Sequence, residues 1–238
     1  MAKLVWDAAG ERYYETGVSK AVLYTAKEAD PYGKGTVWNG ITGVTESPSG
    51  AEANDLYADD IKYATLRSAE DFGATVEAYT YPDEFALCDG SAEIVPGVNI
   101  GQQARDTFGL SYVTQVGNDT STESDDGYKL HLVWGATASP SEKAYSTIND
   151  SPEAITFSWE LTTVPVAVEG YKAMASMTIN TLKLDEKGKK NLKKLEDILY
   201  GTEENEARLP LPNEVITMFQ TDAETLSMKP DFSTPAVG

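Results

Sequence analysis

Apolar and polar residues alternate along three stretches in the middle of the chain: Gly109–Val116, Tyr128–Trp134 and Ile155–Leu161. A period of two, carried by β-branched and aromatic residues, predicts half-buried strands. The connections are built from Ser, Thr, Asp, Asn and Gly. Upstream, Ala21–Ala26 predicts a first strand, Asp30–Gly35 a turn, and Val37–Val44 a second strand loosened by its glycines. Asp60–Arg67 and Ala74–Tyr81, joined by Ser68–Gly73, predict a long antiparallel hairpin. On its first leg Asp60, Lys62, Ala64, Leu66 and Ser68 fall on one face, and Ile61, Tyr63, Thr65 and Arg67 on the other. Val98–Ile100, Ala104–Phe108 and Gly170–Ile179 predict further short strands or turns, and Asn118–Gly127 an acidic loop.

Two segments carry a helical pattern. Pro82–Cys88 predicts a short helix, with Pro at the first position, Asp83 and Glu84 near the positive end and Gly90 as the stop. Asp185–Tyr200 predicts a longer one, capped by Asp185, with Leu192, Leu195 and Ile198/Leu199 on one face. Thr45–Asp59 has small and acidic residues and no sustained period, which predicts a long loop, disordered alone and ordered on contact with a partner. Gly201–Glu206 reads as an acidic linker, Leu209–Phe219 as an extended piece followed by an apolar stub, and Gln220–Gly238 as mobile. The expected fold class is mainly β: a β-sandwich or partial barrel of antiparallel strands with a short helix at 82–88 and a longer one at 185–200. Residues 1–200 are expected to form one β domain and residues 201–238 a partly mobile C-terminal extension.

At 238 residues and 41% hydrophobic content the chain can bury a substantial core. Its net charge is −19, from 38 acidic and 19 basic side chains. Such a balance disfavours tight nucleic-acid binding, because phosphates are repelled. Six of the basic residues lie between Lys183 and Lys194, so the charge is polarised. That run reads as a solvated helix face, or a contact with an acidic copy of the same protein, rather than a nucleic-acid patch. Met1–Asp7 lacks the apolar core of a secretion signal, and no stretch approaches the ~20 apolar residues of a membrane helix. Synthesis in a reducing cytoplasm is the corresponding expectation.

Catalytic chemistry finds little to use. Cys88 is the one cysteine, with no basic residue beside it in the sequence, and reads as a buried thiol. His131 is the one histidine and reads as a surface or interface side chain. The nucleophile elbow, the phosphate-binding glycine loops and the alternating calcium-loop spacing are all missing from the sequence. Carboxylates are plentiful, so counting leaves a β-sandwich glycosidase open. We expect no enzyme, cofactor or metal. The open edges and apolar faces of such a sheet instead suggest assembly.

Five segments together carry a resemblance: Pro82–Gly90, Gly109–Val113, Gly127–Gly135, Phe157–Thr163 and Leu209–Val215. In this order they resemble the major tail (tail tube) proteins of long-tailed, non-contractile bacteriophages, especially those of Gram-positive hosts. The resemblance spans about residues 15–219. It implies a β-sandwich or partial barrel flanked by a helix, forming hexameric rings that stack into a tube whose β-barrel lumen passes DNA. It also implies a virion tail component made in the host bacterial cytoplasm. The implied partners are further copies of itself, the tape measure protein, tail terminator and tail-tip proteins, and DNA as cargo that does not stick, with no membrane.

On this basis Asp60, Lys62, Glu70, Asp71 and Glu77 are the candidate lumen or ring-edge charges. Glu46, Pro48, Glu52, Asn54, Asp55, Tyr57 and Asp59 form the candidate stacking loop, within 45–59. Lys187, Lys190, Leu192, Lys194 and Leu195 are the candidate outer helix. A monomeric β-sandwich binding or adhesion module of a phage particle is the alternative that the residues leave open.

Overall fold

The computed structural model describes residues 4–120, 127–148, 150 and 153–220. Its strands, in chain order, are β1 (Tyr13–Lys27), β2 (Asp30–Val37), β3 (Ile41–Glu46), β4 (Ser49–Gly50), β5 (Ala53–Ala58), β6 (Ile61–Arg67) and β7 (Glu70–Asp71). They continue as β8 (Gly73–Ala78), β9 (Ala92–Val95), β10 (Val98–Ile100), β11 (Phe108–Asn118), β12 (Gly127–Ala138), β13 (Phe157–Thr163) and β14 (Ser176–Asn180). Two helices follow, α1 (Glu186–Tyr200) and α2 (Pro212–Gln220). The mainly-β expectation holds. The first two alternating stretches lie wholly in sheet and the third from Phe157 onward, and Asp185 accepts a hydrogen bond from the Gly188 N–H at 2.7 Å, capping α1.

The main antiparallel sheet runs β2-β1-β11-β12-β13-β8-β3, with β14 also on β12. It curls until β3 lies against β1, but among the described residues no backbone ladder joins them, so the barrel stays open. Gly135, at φ +64, divides β12. Before it β12 pairs with β14, and after it with β13. A Cβ there would meet the Val164 carbonyl oxygen at 2.2 Å, so only glycine fits.

The curled sheet encloses one core, including Leu23, Trp38, Val76, Phe85, Leu110 and Trp159. Most aromatic pairs there pack edge to face, with Phe85 and Trp159 centroids 5.2 Å apart. The opposite surface of β1, β11 and β12 presents Tyr24, Leu130, Leu132 and Trp134 to the helices. Leu192, Leu195 and Leu199 from α1 and Val215 from α2 complete that second core. Its polar groups are satisfied. Tyr24 Oη bonds Ser111 Oγ and the Leu199 carbonyl, each at 3.0 Å, and Trp134 Nε1 donates to the Pro210 carbonyl.

Several local expectations need correction. Val37–Val44 is not one strand: β2 ends at Val37, the chain turns at Asn39 and Gly40, and β3 starts at Ile41. Asp30–Gly35 is a strand, since the turn sits earlier, at Glu28 and Ala29 between the paired Lys27 and Asp30. Pro31 is tolerated because β2 is an edge strand. Leu209–Phe219 ends in a true helix, with Pro212 at its start. The predicted helix 82–88 is one 3₁₀ turn, Asp83–Ala86. The last, the 60–81 hairpin, concerns the candidate site. Residues 221–238 and most of the 118–127 segment lie outside the described residues.

Candidate functional site

The strands β6 and β8 do not pair with each other. β8 pairs with β3 on one side and β13 on the other, whereas β6 pairs with β5. The ladder between β3 and β8 continues outward through β4–β7 to β5–β6. One long hairpin therefore runs from Ile41 to Ala78, and its outer part, Ser49–Asp71, leaves the sheet as an arm. Its tip is Asp59–Asp60, both at positive φ (50° and 60°), between the paired Ala58 and Ile61. That is the geometry of the two-residue turn that matches strand twist, and aspartate tolerates it better than most residues.

The expected disordered loop 45–59 is thus the first leg of a hairpin. Short polar residues and Pro48 hid its pairing, because its strands are brief and its partner lies downstream. The candidate stacking and lumen residues fall mostly on this single element. Glu46 stands at its base, and Pro48 in the step between β3 and β4. Glu52 joins β4 to β5, which carries Asn54, Asp55 and Tyr57, and Asp59 and Asp60 form the tip. Lys62 lies on β6, and Glu70 and Asp71 make up β7. Glu77 alone of the lumen candidates belongs to the main sheet.

A bulge gives the arm two unlike faces. Leu56 opposes Ala64 and Tyr57 opposes Lys62, leaving Tyr63 unpaired. The extra residue moves Ile61 to the side of Leu66, contrary to simple alternation. One face carries Asn54, Leu56, Ala58, Ile61, Ala64 and Leu66, all but Asn54 apolar. The other carries Asp55, Tyr57, Lys62, Thr65 and Arg67. On this polar face Asp55 Oδ1 accepts from Lys62 Nζ at 2.8 Å and Thr65 Oγ1 at 2.6 Å, and these bonds hold its carboxyl below the usual range. Among the described residues nothing covers the apolar face: Leu56, Ile61 and Leu66 are 41%, 63% and 56% exposed.

The arm is fixed at its root. Tyr112 Oη donates to Glu46 Oε1 at 2.6 Å, and the Tyr112 and His131 rings stack at 4.6 Å. His131 Nδ1 lies 3.4 Å from Glu46 Oε1, and Nε2 shares a hydrogen bond with Thr114 Oγ1 at 3.0 Å. The histidine is half-buried, and burial lowers its pKa despite the opposing pull of Glu46 and Glu15.

The outward face of β3, β8 and β13 is a second distinctive surface. Thr45, Thr75, Glu77, Ser158, Glu160 and Thr162 share it, since Ser158 pairs with Glu77 and Glu160 with Thr75. This wall has hydroxyls and carboxylates and, on these strand positions, no basic residue. It lies across the first core from α1, whose Lys187, Lys190 and Lys194 are exposed while Leu192 and Leu195 are buried.

A third surface sits at the other end of the β3–β8 pair. There the chain passes through the Asp83–Ala86 turn into the β9–β10 hairpin, closed by Pro96 and Gly97 (φ +83). Ile94, Val95, Val98 and the nearby Leu87 are at least half exposed.

Sequence reasoning missed one polar node. Asp89, almost fully buried, accepts from Lys143 Nζ at 2.6 Å and Trp159 Nε1 at 3.1 Å, with Arg105 Nη1 at 3.7 Å. Both cations are distant in sequence, and no local signal links them. The node ties the 83–90 turn to the core and has its partners, so it reads as structural. Cys88 beside it is buried, and burial, with Asp106 and Asp89, pushes its thiol pKa up to about 12. Among the described residues no three His, Cys, Asp or Glu side chains group as a metal site.

No protein-family model matches the chain, and no curated protein matches it. Among solved structures, one similar chain comes from "Cryo-EM structure of the anti-feeding prophage (AFP) baseplate, 6-fold symmetrised". The TM-score is 0.36 and the identity 10%, over 76% of this chain and all of the other. A likeness that loose carries no argument about what this chain does.

Proposed function

We propose that this protein is a self-assembling structural subunit of a phage tail, forming stacked hexameric rings that make the tail tube for DNA ejection. The observation that carries the reading is the Ser49–Asp71 arm, whose apolar face is exposed, with no cover among the described residues of its own subunit. A two-stranded hairpin is marginal in water without a second layer. A second exposed apolar hairpin, β9–β10, stands at the opposite end of the same strand pair. Two different apolar surfaces at opposite ends favour head-to-tail contacts, which repeat rather than stop at a dimer.

In this reading the arm reaches the neighbouring ring. The Thr75–Glu77–Ser158–Glu160 wall faces the lumen and the lysines of α1 face outward. An acidic, hydroxyl-lined bore gives DNA no cations to exchange for its counterions. Screening confines the repulsion to about 8 Å at physiological salt, enough to keep a polyanion from adhering. The tape measure protein would fill the bore before ejection, and terminator and tail-tip proteins would close its ends. The reading assigns the chain no catalysis and no cofactor.

One observation favours the monomeric binding module instead. The β2 edge is already covered by its own chain: Gly35 N–H donates to the Ala207 carbonyl at 2.7 Å, and Leu209 N–H to the Tyr32 carbonyl at 3.1 Å. Ring closure would therefore use β3, β14 and the arm rather than β2.

Negative-stain microscopy over a concentration series separates the two. The full chain should pass from single subunits to long tubes of uniform width. The chain with residues 49–71 replaced by a short Asn-Gly turn should remain folded and single. Tubes of normal length from the arm-replaced chain would overturn the role of the arm, and solitary full-length protein at every concentration would overturn the tube. Glu77→Lys with Glu160→Lys should permit tubes yet slow ejection of DNA from particles carrying the variant.

A further inference from the structure

The end of the molecule away from the arm carries an apolar platform that is braced at its root. Residues 91–104 hold one charged side chain, Glu93, and apolar residues on both sides of Pro96 and Gly97. Pro96 and Gly97, the latter at φ +83, turn the chain back, so β9 and β10 pair as a hairpin. Ala92 opposes Ile100 and Val95 opposes Val98, leaving Ile94 unpaired at a bulge. The bulge puts Ala92, Val95, Val98 and Ile100 on one face, and Glu93 with Asn99 on the other. Ile94, Val95 and Val98 are at least half exposed. Glu93 Oε1 accepts from the Gly97 N–H at 2.7 Å, which fixes the turn. Gln103 N–H donates to the Gly90 carbonyl at 2.9 Å, and Asp106 N–H to the Leu87 carbonyl at 3.1 Å. Arg105 between them reaches the Ala138 carbonyl at 3.0 Å and lies beside buried Asp89. A buried carboxylate between two cations adds little stability over apolar packing. Here it pins the root of the hairpin in one place.

We infer that this platform receives the apolar face of the arm from a second copy of the chain, which deepens the assembly reading above and rests on it. Each surface is a two-stranded hairpin with one apolar face and, among the described residues, no layer over it. Packed face to face about 10 Å apart, each supplies the layer that the other lacks. Charge selects among the pairings. Residues 49–71 carry six carboxylates against Lys62 and Arg67, so two arms laid together would repel. On the platform the arm meets one carboxylate, Glu93, which is engaged by Gly97 and set on the opposite face. A platform already fixed in place also loses little freedom on docking. Arm and platform stand at opposite ends of the β3–β8 pair. Each docking event therefore leaves one of each free, and subunits add in one direction.

Cysteine cross-linking between full chains tests it, with Leu66→Cys on one chain and Val98→Cys on a second, tagged chain. Mixed under mild oxidation, the two should form a covalent one-to-one dimer, and neither should cross-link to itself. Buried Cys88 stays out of the reaction. Ile94→Ser supplies the control for direction. Added to the Val98→Cys chain, it should cut the yield about tenfold by weakening the platform. Added to the Leu66→Cys chain, whose arm does the docking, it should leave the yield unchanged. Equal losses on both chains would assign Ile94 to folding and overturn the inference. Leu66→Cys chains cross-linked to each other would overturn it in favour of arm-to-arm pairing. Tubes from the unmodified chain with no cross-link in the mixture would overturn the platform and leave the tail-tube reading standing. Single chains at every concentration would overturn both.

Discussion

The inner and outer parts of the Ile41–Ala78 hairpin are continuous in backbone and opposite in surroundings. In the inner part Val76 and Ala78 of β8 sit under Trp159 and Trp38 and are wholly buried. In the outer part Ile61 and Leu66 have the same pattern of spaced apolar residues and face water. The difference lies in the second layer, because the inner ladder has a curled sheet across from it and the arm has none among the described residues. Alternation alone therefore marks a surface that needs covering without saying whether the cover is internal. The proposal that the arm takes a partner rests on this contrast, and variants on its two sides probe it.

The largest effect belongs to the inner part. Trp159→Ala removes the centre of the aromatic cluster and a donor to buried Asp89, and should cost about 3–5 kcal/mol of unfolding free energy in urea titration. A loss below about 1 kcal/mol would mean that the inner ladder is no better covered than the arm. At the tip, Asp60→Gly relieves a positive φ and should slow hydrogen exchange across residues 53–67, corresponding to about 1 kcal/mol. In the arm, Leu66→Ser should change the stability of the isolated subunit by no more than about 0.5 kcal/mol, since it loses no cover, while raising the concentration needed for assembly. A large stability loss would show that the arm folds back on its own subunit.

The root of the arm adds a pH dependence. Burial lowers the folded-state pKa of His131, so the unfolded chain binds more protons as pH falls through the ordinary histidine range. The stability that neutral His131 contributes is thus present above that range and lost as pH drops through the folded pKa. Urea titrations at pH 7.5 and pH 5.5 should show a greater acid loss in wild type than in His131→Gln. An equal loss would assign the acid sensitivity to the carboxylates.

Much of the architecture was legible because periodicity is local. The runs around Val113, Leu132 and Trp159 announced strands, and Asp185 with Leu192, Leu195 and Leu199 announced a capped amphipathic helix. Pairing was less legible, because it joins distant residues. Asp60–Arg67 read as the partner of Ala74–Tyr81 since the two were neighbouring strands in sequence, yet Thr65 opposes Asp55 and Glu77 opposes Ser158. A single unpaired residue, Tyr63, then moved Ile61 to the other face, which alternation cannot foresee. The candidate residues were nonetheless gathered on one element, because short acidic and polar side chains concentrate where a chain leaves its core. The Asp89–Lys143–Arg105 node was invisible, as it joins residues from segments with no common pattern.

The central claim is that the arm's apolar face is covered by another subunit. Its most direct measurement is the maleimide labelling rate of Leu66→Cys, with Thr65→Cys as the opposite-face control. Buried Cys88, its thiol pKa pushed up to about 12, contributes little background. The account predicts fast labelling of both variants when dilute, with labelling at Leu66→Cys falling as concentration rises and Thr65→Cys remaining more reactive. Labelling of Leu66→Cys that stays fast at every concentration, or is slow even in dilute single subunits, would contradict it.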